Sequence, residues 1–191
     1  MLKRSDATRA VVERAADEDL IIASLGFAKY DLYAANPERP RNFYMWNSMG
    51  MASSMGLGMA MARPQNRVII LQGDGDLLMN LGSLATEANR EPTNMIHIVW
   101  DNRMYHITGG QPTATDGKAN LAEIARGSGL EKVAQVETLE AFISAYEKAL
   151  SEEGPWFIHA LVEEPEKPTA RPPKSATLIK HRFMTDLGVE H

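Results

Sequence analysis

Two short clusters of hard oxygen ligands carry the first chemical signal in this sequence. Gly73-Asp74-Gly75 ends the apolar run Val68-Ile69-Ile70-Leu71, and Asp101-Asn102 ends a second run, Ile96-His97-Ile98-Val99-Trp100. A stretch with helical spacing lies between them. If the runs are parallel strands joined by that helix, their ends share one edge of a sheet, where ligands of open α/β folds collect. A carboxylate and an amide oxygen do not fill the octahedron of Mg²⁺. That ion, however, commonly takes one or two protein groups and completes its shell with phosphate oxygens and water. Glycines beside Asp74 let the backbone approach an anion closely, and a helix start there offers free N–H groups. Each residue also has a plainer use, Asp74 as a helix cap and Asn102 as a turn residue. Taken together, the two clusters spell a metal-bridged diphosphate site.

The elements that must position these residues follow from periodicity and breakers. Helical spacing predicts helices over 5–16, 28–35, 51–62, 77–90, 120–127 and 138–151. Short apolar runs predict strands over 20–23, 43–46, 67–72, 95–100, 132–136 and 156–162, with loops at 36–41 and 101–117. This alternation describes an α/β fold, a parallel sheet with helices on both faces, over residues 1–165. From Glu163 onward Pro165, Pro168, Pro172 and Pro173 break a polar run, so 166–191 reads as a Pro-rich C-terminal tail. Its end, 179–187, has the spacing of a short docking helix.

Composition narrows the class. A chain of 191 residues with 44% hydrophobic and 24% charged residues and a net charge of −5 fits one soluble domain. No Lys/Arg block suggests a nucleic-acid partner. The absence of cysteine removes disulfides, thiolate metal sites and iron–sulfur clusters. No apolar run is long enough for a membrane helix, and the N-terminal residues lack the apolar core of a signal peptide, so the expected location is cytoplasmic.

Gly-Asp-Gly followed some two dozen residues later by an Asn resembles the signature of the thiamine diphosphate enzymes. Three further segments resemble sulfopyruvate and phosphonopyruvate decarboxylases: Phe43-Tyr44-Met45-Trp46-Asn47-Ser48-Met49-Gly50-Met51-Ala52-Ser53-Ser54, Leu78-Met79-Asn80-Leu81-Gly82-Ser83-Leu84-Ala85-Thr86 and Thr108-Gly109-Gly110-Gln111-Pro112-Thr113. The resemblance implies Mg²⁺ held by Asp74, Asn102 and the backbone carbonyl of Met104. It implies a cofactor contacted by Ser24, Asn47, Ser48, Met49, Gly73, Asp74, Gly75, Asp76, Asn102, Met104, Tyr105, His106 and Ile107. In such enzymes a bulky apolar residue, here Met49, wedges the two cofactor rings into a bent form, and the Asn47 carbonyl accepts from the aminopyrimidine.

Two positions depart from the pattern. Asp76 stands where relatives carry Ser or Ala; its N–H remains useful, but its carboxylate would repel a diphosphate and is expected to point outward. His106 stands where relatives show Gly, and an imidazole there suits a proton shuttle or a donor to a substrate anion. Arg103, Tyr105, Thr108 and Gln111 are expected on the same loop, facing the reactive end, with Arg103 a candidate anion binder. His97 and His159, inside strands, read as structural.

The resemblance also implies an activating Glu on a separate pyrimidine-binding domain, which does not fit in this sequence. The expectation is therefore a β subunit, active only in a hetero-oligomer with an α subunit that brings the Glu. The expected reaction is decarboxylation of a small anionic 2-oxo acid, 3-sulfopyruvate to sulfoacetaldehyde and CO₂. The alternatives are a phosphonopyruvate decarboxylase subunit, an acetolactate-type carboligase subunit, or a non-catalytic cofactor-binding partner.

Overall fold

Side chains alternate sides along each strand, and here both sides are apolar, which requires a sheet covered twice. The computed structural model describes residues 2–163 and 169–189; Pro165 and Pro168 of the tail lie outside them. In chain order the strands are β1 (Leu20–Ala23), β2 (Asn42–Tyr44), β3 (Val68–Gly73), β4 (Met95–Asp101), a small hairpin of β5 (Met104–Tyr105) and β6 (Gln111–Pro112), β7 (Lys132–Val136) and β8 (Trp156–Leu161). Six of them form one parallel sheet in the order β2-β1-β3-β4-β8-β7. The helices are α1 (Arg4–Arg14), α2 (Phe27–Ala35), α3 (Ala52–Ala62), α4 (Asp74–Leu78), α5 (Gly82–Arg90), α6 (Leu121–Gly127), α7 (Leu139–Ser151) and α8 (Ala176–Asp186).

One face of the sheet, through Ile21, Ile69, Leu71, Ile98 and Ile158, packs on Val11, Leu32, Phe142 and Tyr146 of α1, α2 and α7. The other face is covered in two patches. Leu20, Ile22, Val68 and Ile70 meet Leu57 of α3 and Phe183 of α8. Val99 and Phe157 meet Leu77, Leu84 and Leu121 of α4, α5 and α6. Gly56 explains itself here: a Cβ on it would run into the Ile70 side chain, so its lost helix propensity permits close packing of α3 on β3. The expected α/β fold with helices on both faces is what forms.

Two local expectations are corrected. The single helix expected over 77–90 is two helices. The first starts inside the glycine motif at Asp74, and the ladder then tightens to shorter bonds, Asn80 N–H to the Leu77 carbonyl and Ser83 N–H to the Asn80 carbonyl. The break occurs where the Asn80 amide donates to the Gly50 carbonyl and to Ser54 Oγ, tying this turn to another segment. The 101–117 loop contains a hairpin and two short 3₁₀ turns, His106–Thr108 and Ala114–Asp116.

The tail helix begins earlier than its spacing suggested, at Ala176, and docks along edge strand β2. Arg182 donates to the Asn42 and Pro37 carbonyls, Arg41 pairs with Asp186, and Trp46 Nε1 donates to the Pro173 carbonyl. Such cover blunts an open sheet edge. Among the described residues no helix is long and apolar enough to cross a membrane.

Lys29 on α2 is buried, its ammonium 3.9 Å from the Trp46 ring centroid, and burial lowers its pKa to about 8 from 10.5. Between those values the unfolded chain holds a proton that the folded chain has shed. Stability from this group therefore rises with pH through that window, and its penalty is complete below pH 8. Lys29→Met is expected to raise stability at pH 7 by about 1–3 kcal/mol, less the lost cation–π contact. Urea midpoints at pH 7 and pH 9.5 check this: the gain should shrink at the higher pH.

Candidate cofactor and metal site

The chain runs from β1 out to β2 and then returns to the other side of β1 with β3, so the strand order reverses at the β1/β3 boundary. Ligands of open α/β sheets bind at such reversals, beyond the carboxyl ends of the strands. Register pairs Gly73 with Trp100, so Asp74 and Asp101 leave the sheet at one level and Asn102 follows. A cavity of about 140 Å³, partly open to solvent, lies above them. Gly73, Asp74, Gly75, Asp76, Asn102 and Met104 form part of its wall.

Asp74 is buried and takes Thr113 Oγ1 at 2.6 Å and Thr115 Oγ1 at 3.2 Å on one carboxylate oxygen. The two threonine hydroxyls are 2.8 Å apart, and the single Thr115 proton goes to the nearer Asp101 at 2.8 Å, which leaves its 3.2 Å approach to Asp74 a polar contact only. Burial pushes the Asp74 carboxyl up to about 6; the Thr113 hydrogen bond opposes this and the Asp101 charge adds to it. Burial alone would raise Asp101 as well. There, hydrogen bonds from His159 Nε2, Thr115 and the Arg103 N–H outweigh it and hold the carboxyl below its usual range. Of the two carboxyls Asp74 is the one that holds its proton to higher pH, and a cation bound there would compete with that proton.

The oxygen set fits a hard cation. The Asn102 amide lies 3.2 Å from Asp74 Oδ1 and 3.0 Å from the Met104 carbonyl oxygen. Without a cation its nitrogen faces and donates to both. Rotated, its oxygen joins them at separations near the edge of an octahedron with ~2.1 Å metal–oxygen bonds, about 3 Å. Among the described residues no group of three His, Cys, Asp or Glu side chains forms a competing metal site. No side chain caps α2 or α4, and both helix starts lie on the cavity wall, leaving N–H groups for an anion.

Met49 reaches the cavity from a strained loop. Asn47 and Ser48 both adopt left-handed φ, 60° and 57°, and Gly50 follows at 86°. This loop is pinned by Asp76, whose Oδ1 accepts the Gly50 N–H at 2.8 Å, and by Asn80. The outward Asp76 expected from charge repulsion is therefore wrong. Its carboxylate is buried, and burial raises its pKa against the hydrogen bonds from Gly50 and Gln72. Those two donors, unreadable from local sequence, offset the cost of turning it inward.

Behind Asp76 runs a fully internal chain. Gln72 Nε2 donates to Asp76 Oδ2, His97 Nε2 donates to Gln72 Oε1 at 2.8 Å, and His97 Nδ1 lies 3.1 Å from Glu87 Oε2. Gln72, His97 and Glu87 are each at most 1% exposed. With Gln72 donating to Asp76, its Oε1 is left to accept from His97 Nε2, and His97 Nδ1 faces Glu87.

Tyr105, His106, Ile107 and Thr108 line the cavity, and His106 packs edge-on against Phe27 at 5.0 Å. Arg103 and Gln111, expected to face it, do not line it. Arg103 takes a left-handed turn (φ 63°) because its N–H is held by Asp101, which sends its side chain to solvent. Gln111 bonds back to Thr108. Ser24 is buried beside the wall with its hydroxyl donating to the Leu25 carbonyl, and Leu25 and Gly26 take the wall position. Asn47 and Ser48 are exposed and act on the cavity through Met49. Sequence reasoning missed Thr113, Thr115, the role of His159 on Asp101, and Arg4, which enters the cavity wall from α1. Thr113 stood only as the end of the Thr108–Thr113 segment, and no local pattern marks the other three.

Gly75 is the tightest point. A Cβ there would collide with the Tyr105 ring and come within 3.3 Å of Thr113 Cγ2. Gly75→Ala is expected to displace the β5–β6 hairpin, destabilise the protein by about 1–3 kcal/mol, and weaken cofactor binding roughly tenfold or more. Thermal melts and calorimetric titration of thiamine diphosphate with Mg²⁺ check both effects.

Residues 24–160 match the model of the thiamine pyrophosphate enzyme C-terminal TPP-binding domain. The chain belongs to the thiamine pyrophosphate enzyme family. It is 43% identical over 151 residues to a sulfopyruvate decarboxylase subunit beta of Methanocaldococcus jannaschii, covering 79% of each chain. It is 41% identical to the corresponding subunit of Methanothermobacter thermautotrophicus, over 85% of this chain and 83% of that one. A phosphonopyruvate decarboxylase of Streptomyces viridochromogenes is 34% identical over 142 residues, 74% of this chain and 35% of that protein. Among solved structures, a thiamin diphosphate-dependent enzyme isolated from Mycobacterium smegmatis superposes with a TM-score of 0.72 at 17% identity. The match covers 87% of this chain and 32% of that one, which speaks for the fold alone.

Proposed function

We propose that this chain is the β subunit of a heteromeric thiamine diphosphate- and Mg²⁺-dependent decarboxylase that converts 3-sulfopyruvate to sulfoacetaldehyde and CO₂. The observation that carries the reading is the convergence of the Asp74, Asn102 and Met104 oxygens on one cavity, in a chain this similar to sulfopyruvate decarboxylase β subunits. In this reading the two side chains and the carbonyl hold Mg²⁺. The diphosphate is received by N–H groups of Gly75 and Asp76, the start of α2, and the Tyr105–Ile107 segment. The bound thiazolium supplies the electron sink that lets CO₂ leave. Met49, fixed by its strained loop, would bear on the cofactor rings, and the Asn47 carbonyl would be the acceptor for the aminopyrimidine. His106, steadied by Phe27, would donate a hydrogen bond to the substrate or hold a proton for the product.

The same reading calls for an α subunit bearing the activating Glu. Met49, Met51, Met79 and Ile107 are exposed at or next to the cavity loops and are the apolar surface it would cover. A cytoplasmic location goes with it.

The test is CO₂ release from 3-sulfopyruvate, 3-phosphonopyruvate and pyruvate by the complex purified from its native host on this tagged chain, with thiamine diphosphate and Mg²⁺ added. Release from 3-sulfopyruvate by the complex, and none by the isolated chain, is the expected result. Preference for 3-phosphonopyruvate would reassign the substrate. Turnover of pyruvate to a longer hydroxyketo acid would reassign the reaction to carboligation.

A further inference from the structure

Arg4 enters the cavity wall from the first turn of α1, far in sequence from every motif, and the reading above leaves it unused. Its side chain is only 9% exposed. Nε donates to Asp31 Oδ2 at 2.6 Å, and the guanidinium carbon sits 5.1 Å from the Phe27 ring centroid. Phe27 in turn carries His106 on the cavity wall. The carboxylate and the ring fix the plane of the guanidinium, while among the described residues its two Nη atoms have no hydrogen-bond partner. Neither Nη is sealed away from solvent without a partner, so both stay available to an acceptor arriving at the cavity wall.

Charge points the same way. Among the residues lining the cavity Arg4 is the one Lys or Arg, and the wall also carries Asp74 and Asp76. An incoming diphosphate or dianionic acid adds negative charge that one divalent cation does not balance. A planar guanidinium tied through Nε to Asp31, with both Nη groups uncommitted, matches the paired oxygens of a tetrahedral oxyanion better than a lysine would.

We propose that Arg4 is the oxyanion receptor of this cavity, taking two oxygens of a phosphate, sulfonate or phosphonate group. Two sources offer that chemistry: the terminal phosphate of the cofactor and the acidic end of the substrate. The assignment rests on the functional reading above for its ligands, and of the two measurements only the cofactor titration is independent of that reading.

The experiment compares the wild-type complex with Arg4→Gln and Arg4→Lys. Calorimetry gives the Kd of thiamine diphosphate at saturating Mg²⁺, and kcat/KM is measured for 3-sulfopyruvate and for pyruvate at saturating cofactor. If the cofactor phosphate is the ligand, Arg4→Gln raises Kd at least 30-fold and leaves the ratio of the two kcat/KM values unchanged. If the substrate is the ligand, that ratio falls at least 30-fold in favour of pyruvate while Kd stays within threefold. Arg4→Lys keeps a charge opposite Asp31, so it guards against simple unfolding; it is expected to show the same change at least fivefold. Kd and the ratio both within threefold of wild type in a folded variant overturn the proposal. A wild-type complex that decarboxylates neither acid sinks the functional reading instead, and the cofactor titration then decides Arg4 alone.

Discussion

Asp74→Ala is expected to abolish Mg²⁺-dependent binding of thiamine diphosphate, lowering affinity by roughly a thousandfold, about 4 kcal/mol. Asp74 is the one carboxylate in a set otherwise made of an amide and a backbone carbonyl, so its loss leaves two neutral oxygens for a divalent cation. The fold should survive. Without a cation the Asp74 carboxyl is a burial penalty, as its raised pKa shows, and Thr115 keeps its contacts with Thr113 and Asp101 when Asp74 is gone. Calorimetry of the complex with cofactor and Mg²⁺, beside a thermal melt of the chain, separates the two effects. Retained binding in a folded Asp74→Ala protein would remove the metal site from Asp74, and with it the catalytic reading.

The largest expected loss of stability comes from a residue that touches no ligand. His97→Leu cuts the internal chain in the middle, stranding the Gln72 Oε1 acceptor on one side and Glu87 on the other, both with no access to water. Removing one member of such a buried pair costs about 3–5 kcal/mol. Replacing the whole pair with apolar groups of similar size is far milder. Glu87→Met combined with His97→Leu is therefore expected to recover more than half of the loss, in urea unfolding followed by circular dichroism. The chain ends on the Gly50 N–H through Asp76, so even the stable double variant should hold the Met49 loop less firmly. Equal stability of the single and double variants would show that His97 and Glu87 do not depend on each other inside the fold.

Much of the architecture could be read without coordinates because strands and helices announce themselves by period. The run Leu20-Ile21-Ile22-Ala23 is apolar on both faces, as a doubly covered parallel strand must be, and its span is that of β1. The Gly-Asp-Gly motif and the spaced Asn identify the carboxyl ends of two neighbouring strands by the same logic. Element limits were less secure. The helix expected over 77–90 breaks because Asn80 bonds to Gly50, thirty residues earlier in the chain, and no local rule anticipates a partner at that distance.

Local order in the sequence was enough for the sheet and for placing Asp74 and Asn102 at strand ends, while the cofactor class and the Met104 carbonyl came from resemblance to the thiamine diphosphate enzymes. Only the tertiary structure decided which side chains face the cavity and what holds them there. It turned Arg103 out and Asp76 in, folded Thr113 and Thr115 onto the two carboxylates, and brought Arg4 from the first helix to the wall beside Phe27 and His106. The physical reason is that burying a polar or charged side chain depends on finding a specific partner. The partners that turned Asp76 in and bound Asp74, Gly50 and Thr113, lie 26 and 39 residues away and meet them only when the sheet is assembled.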